Sequence, residues 1–164
     1  MTDISKIRVT DDVRRAVAAY LVARAKAEVL REAVDAVFAE ILAEREIYPA
    51  EEWRKCSDVG RILDHDRLSW SELHDFNAVI AEASCIERER GIKPADMEEQ
   101  YCPALVAEHA QLEAEWAILK AGFAMIGSPA DDWKRLYGDK RAQFLDLVVR
   151  LVVNEPGRGI RVSV

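Results

Sequence analysis

The stretch that decides the fold runs from Thr10 to Glu46: TDDVRRAVAAYLVARAKAEVLREAVDAVFAEILAERE. It contains no Gly or Pro and much Ala, so nothing in it interrupts a helix. Thr10 offers a hydroxyl cap, and Asp11 and Asp12 put carboxylates at the positive end of the helix dipole. Heptads written from Val13 place Val13, Tyr20, Ala27, Val34 and Ile41 at one seam position. Ala16, Ala23, Leu30 and Val37 fall three residues later at the other. A seam of that length predicts a long helix lying against a partner helix. Pro49 marks the boundary, giving a helix over about residues 10–47, roughly 55 Å at 1.5 Å rise per residue.

Residues 50–91 are less regular. Trp53, Val59, Ile62 and Leu63 suggest a short helix broken near Gly60, followed by the polar stretch Asp64-His65-Asp66. Ser69-Trp70-Ser71-Glu72 fits a capping box, with Ser69 as the cap. It opens a helix carrying Leu73, Phe76, Ile80 and Ile86 that ends near Gly91. Pro94 can begin the next helix, expected over about 95–127, while Pro103 either starts it or bends it. Its seam is read from Leu105, Leu112, Leu119 and Ile126, interleaved by Cys102, His109, Trp116 and Phe123. A last helix over about 131–154, with an interruption at Gly138, carries Phe144, Leu147, Val148, Leu151 and Val152.

The expected architecture is all-α: one helical domain over residues 1–164, an elongated bundle with two long antiparallel helices. The tail over 155–164 alternates apolar and polar residues, and Gly159-Ile160-Arg161-Val162 echoes Lys6-Ile7-Arg8-Val9. These short extended termini can pair as a small β-ribbon. Such ribbons are marginal in water, so an untethered tail is the expectation.

Half of the residues are apolar and 32% charged, too apolar for a disordered chain. No apolar run approaches the roughly 20 residues that cross a bilayer, and no signal-peptide pattern opens the chain. A soluble, intracellular protein with no membrane partner is expected. The net charge of −7 argues against direct nucleic-acid binding, which needs a basic footprint.

That charge is unevenly placed. Residues 82–115 hold nine acids (Glu82, Glu87, Glu89, Asp96, Glu98, Glu99, Glu108, Glu113 and Glu115) against three bases, Arg88, Arg90 and Lys93. Residues 133–161 hold seven bases against three acids. Charge runs on helices usually just face water. The functional reading is an acidic face that steers toward a basic partner, with Trp116 as an apolar anchor.

Catalytic signals are weak by comparison. Cys56, Cys85 and Cys102 form no CxxC pair and read as reduced, mostly buried thiols. Neither His65 nor His74 follows a Glu by three residues, which excludes a di-iron bundle. The His74-Asp75 dipeptide is shared with HD-type phosphohydrolases, but the further metal ligands of that family are missing. His109, at a seam position, reads as a core or interface histidine. There is no P-loop, Gly-rich phosphate loop or nucleophile elbow. No catalytic residue, metal or cofactor is expected.

Tyr101-Cys102-Pro103-Ala104-Leu105-Val106-Ala107-Glu108-His109 resembles a family of small bacteriophage and prophage accessory proteins. So does Leu145-Asp146-Leu147-Val148-Val149-Arg150-Leu151-Val152-Val153-Asn154, with the following Pro156. The likeness extends to the long Ala/Glu-rich first helix and touches most of the chain outside residues 50–95. It implies a viral accessory origin and action in the bacterial host cytoplasm.

Together these readings favour a non-enzymatic phage or prophage protein that binds a host protein or protein–nucleic-acid complex. The form expected is an inhibitor of a host defence system, anti-CRISPR-like, covering a basic nucleic-acid-binding surface with acids. The alternative is a phage structural, assembly or scaffold protein acting as a homo-oligomer. A symmetric homodimer with Val34 and Ile41 in its self-association stripe is expected. A metal-dependent hydrolase using His65, His74 and Asp75 is the third reading.

Overall fold

The computed structural model describes residues 8–46, 70–98 and 101–155. Among the described residues it holds four α-helices and no strand. They are α1 (Asp11–Glu44), α2 (Trp70–Glu89), α3 (Pro103–Met125) and α4 (Gly138–Val153), with a 3-10 turn at Asp132–Arg135. The all-α bundle expected from the sequence is what forms, with α1 packed against α2. Pro49, Trp53, Asp64-His65-Asp66, the Ser69 cap, Lys6-Ile7 and Gly159-Ile160-Arg161-Val162 lie outside the described residues; Arg8 and Val9, which are described, form no strand.

Local chemistry sets the helix ends. Thr10 caps α1: its Oγ1 accepts the Val13 N–H at 3.4 Å, and its carbonyl takes the Arg14 N–H at 3.1 Å. Helix α2 closes on Gly91 at φ +72°, where Gly91 N donates to the Arg88 carbonyl and Ile92 N to the Glu87 carbonyl. Those two bonds satisfy carbonyls that a helix end leaves without partners, in the Schellman arrangement. Gly127 closes α3 in the same way, through Ala124 and Phe123. Helix α3 begins at Pro103, not near Pro94, since residues 91–98 form turns. Of the two positions where proline could open that helix, Pro103 is used.

The contacts fall into two compact units, and both divisions lie inside helices, between Ala25 and Lys26 and between His109 and Ala110. The α4 unit comprises residues up to Ala25 and from Ala110 onward; the α2 unit is Lys26–His109.

In the α4 unit, Val9, Val13, Val17 and Tyr20 pack with Ile118, Val148 and Val152. Gly122 lets α4 approach α3 closely, since a Cβ there would meet Phe144 at 3.0 Å and Val148 at 3.2 Å. The Phe123 and Phe144 rings lie 4.8 Å apart and tilted by 56°, a favourable aromatic geometry. Arg14 forks onto the Glu155 carboxylate at 2.8 and 2.6 Å and donates to the Val9 carbonyl, tying the residue after α4 to α1.

In the α2 unit, Val34, Val37, Phe38 and Ile41 of α1 pack with Val79 and Ala83 of α2 and Ala104 of α3. Thus the end of α1 meets the start of α3 in this unit.

All five residues of the first α1 seam are buried. At the second seam only Val37 is, because the 3.6-residue period carries Val17 and Phe38 inward in place of exact heptads. Val34 and Ile41, at 0% and 1% exposure, are covered by this chain's own α2 and α3. That corrects their expected role in self-association. The α3 seam holds in part: Leu119 is buried and Leu105 packs against the core, as expected, while Trp116, Ile126 and His109 are exposed. Ala104, Ala107 and Ile118, outside the expected seam, are buried as well.

Candidate functional site

The nine acids expected to form one face meet different fates. Glu82 accepts from Arg45 Nε at 2.7 Å, and Glu108 pairs with Arg31. Glu115 pairs with Arg141 at 3.1 Å and accepts from Gln111. Glu87 is buried, at 4% exposure, and burial pushes its carboxyl above the ordinary Glu value against the pull of Lys93 and Arg88. With Glu98 and Glu113, which also have interactions within the chain, six of the nine are engaged, three of them by arginines distant in sequence. Glu99 lies outside the described residues. Glu113 and Trp116 are exposed on α3 in the α4 unit, and Glu113 has interactions within its own chain.

Glu89, at the end of α2, and Asp96 and Glu98, on the turn that follows, are exposed, and Glu98 has interactions within its own chain. This turn is heavily constrained. Gly91 takes the left-handed conformation that a side chain would strain. Both Ile92 N and Lys93 N donate to the Glu87 carbonyl, at 2.8 and 3.1 Å. Arg88 Nη2 donates to the Met97 carbonyl at 3.1 Å, and Met97 N donates to the Pro94 carbonyl. Lys93 is only 2% exposed, and its Nζ donates to Ser84 Oγ at 2.6 Å.

A buried ammonium is costly unless it is hydrogen-bonded and near opposite charge. Ser84 supplies the first and Glu87 the second. Just before α3, Cys102 borders the same polar pocket of core. Burial pushes its thiol up, opposed by the Leu105 and Ala104 amides and by Lys93, while Glu87 adds to the rise. A thiol held in that state is a poor nucleophile. Cys85, expected to be buried, is exposed.

Sequence reasoning missed Lys93. It counted this residue as one of three solvated bases, and nothing in the pattern Gly91-Ile92-Lys93-Pro94 marks a lysine for burial. The only hint was Gly91, whose helix-closing role turns the following chain back over α2.

His74 and Asp75 stand in solvent, with Nδ1 3.9 Å from the carboxylate, and His65 lies outside the described residues. Among the described residues no group of three or more His, Cys, Asp or Glu is placed to hold a metal ion. No helix among them is long and apolar enough to cross a membrane. Compared with known protein families, curated proteins and solved structures, the chain matches none.

Proposed function

We propose that this chain is a phage or prophage accessory protein that acts without catalysis, in the host cytoplasm, by binding a basic surface of a host complex. The turn after α2 is the contact, with Glu89, Asp96 and Glu98 as its charged groups. One observation carries this reading: two exposed acids, Asp96 and Glu98, sit on a turn fixed by a left-handed glycine, a buried lysine and an arginine–carbonyl bond, with exposed Glu89 at the helix end that leads into it. A pre-ordered loop loses little entropy on binding, so its charges act with full effect on association. The finer form is inhibition of a defence effector, the acids taking places that nucleic-acid phosphates would occupy in a basic groove.

Affinity capture from an infected host tests it, with wild type compared against Glu89→Lys/Asp96→Lys/Glu98→Lys. The expected result is capture of a nucleic-acid-binding complex that salt weakens, that added nucleic acid competes away and that the triple variant loses. Equal capture by the triple variant would sink the electrostatic reading.

A further inference from the structure

Helix α3 carries a second exposed face on which an acid and a base flank Trp116-Ala117 at equal spacing. Trp116 is 40% exposed beside the exposed Ala117. Glu113 lies three residues before Trp116, and Lys120 three residues after Ala117; both are exposed. These four residues share one side of the helix, because positions three and four apart are neighbours on a helical surface. Ala110 and Ala124 continue that side in the two directions and are exposed as well. All six belong to the α4 unit.

We infer that this face pairs with a second copy of the chain, α3 running antiparallel to its counterpart about a two-fold axis between Trp116 and Ala117. A two-fold contact sets each surface against itself, so it needs a self-complementary pattern. Opposite charges at equal distances from Trp116-Ala117 supply one. With the axis at that point, Glu113 of each copy faces Lys120 of the other, and each indole lies over the small Ala117 opposite. Glu113 and Lys120 span about 10 Å of helix, two turns, so both charge pairs fit along one contact. Small alanines let helix axes approach to about 8–10 Å, and a partly exposed tryptophan is a strong interface anchor.

The charges fix register more than affinity, since exposed ion pairs contribute little. Glu113 also has interactions in its own chain, and Lys120 acts on Asp131; pairing across the axis adds to these contacts. The inference is independent of the acid-bearing turn, which none of these six residues touches in sequence. It also differs from a dimer through Val34 and Ile41, which are core residues.

Sedimentation equilibrium over a concentration series tests it directly. Wild type should approach twice the 18.5 kDa chain mass as concentration rises. Trp116→Ala should weaken association at least about tenfold, as truncation of an anchor does. Glu113→Lys alone, or Lys120→Glu alone, sets like charges together twice and should weaken it by about as much. The double swap Glu113→Lys/Lys120→Glu should restore association to near wild type, an outcome that a merely damaged fold cannot give. A wild-type monomer up to about millimolar concentration overturns the inference, millimolar being the weak end of specific association. So does a dimer indifferent to either single reversal.

Discussion

The α2 and α4 units share the same two long helices and differ in the third one they add. Helix α4 brings Val148 and Val152 to an apolar core, and its polar ties, Arg14–Glu155 and Arg141–Glu115, are only partly buried. Helix α2 brings Val79 and Ala83, but beside them Ser84, Glu87 and the following Lys93 are buried too. An apolar core needs only shape and area. A polar one also needs every donor and acceptor placed, so it specifies a particular chain path. In the α2 unit that path is the turn bearing Asp96 and Glu98.

The largest effect that sharpens this contrast should come from Lys93→Ala. It removes the largest of the fully buried side chains and leaves Glu87 without its nearest ammonium. We expect a loss of about 3 kcal/mol, in the range of large-to-small core substitutions, measured by urea denaturation. A loss below about 1 kcal/mol, typical of a surface change, would mean that the lysine is not part of the core.

The corresponding lesion in the α4 unit is Gly122→Leu. Replacing glycine in a helix gains about 1 kcal/mol of propensity, but the new side chain must displace Phe144 and Val148. Overpacking costs about 1–3 kcal/mol and more for a bulky residue, so the net change is a loss of about 1–2 kcal/mol. Gly122→Ala should stay near balance. If Leu and Ala behave alike in thermal melts, the α3–α4 approach is looser than 3.0 Å implies.

How much of this contrast could be read in the sequence depends on which signal each unit uses. The first seam of α1, from Val13 to Ile41, was legible because a helix exposes its period whatever it packs against. The α3 seam was legible in part. Leucines at 105, 112 and 119 suggested a heptad stripe, of which Leu119 is buried and Leu105 packs against the core, yet Ala104 and Ala107 are buried too and Trp116 stands outside. The acid-rich segment was legible as a count only. Arg31, Arg45 and Arg141 come from far along the chain to engage Glu108, Glu82 and Glu115, and composition cannot reveal such pairings. A buried lysine leaves no local mark at all.

A smaller effect concerns pH. Burial holds the Glu87 carboxyl above the ordinary Glu value, so the folded chain favours its protonated form. The stability from this group is complete below the unfolded carboxylate pKa and is lost as pH rises through the raised folded value. Glu87→Gln removes that titration. The melting temperature of the variant minus that of wild type should therefore grow between about pH 4 and pH 7. A difference that stays flat or shrinks over that range would show that Glu87 titrates as a solvated carboxylate.

The central claim is that a buried polar anchor, rather than apolar packing alone, fixes the acid-bearing turn. Amide hydrogen exchange in wild type and Lys93→Met tests it, because methionine keeps most of the side-chain volume and drops the ammonium. In the wild-type chain the amides of Ile92 and Lys93, both donated to the Glu87 carbonyl, should be protected. In Lys93→Met, residues 91–98 should lose at least about tenfold in protection, while α4 from Val148 to Val152 keeps its own. Protection of the turn that survives the substitution, or falls equally in α4, would contradict the account.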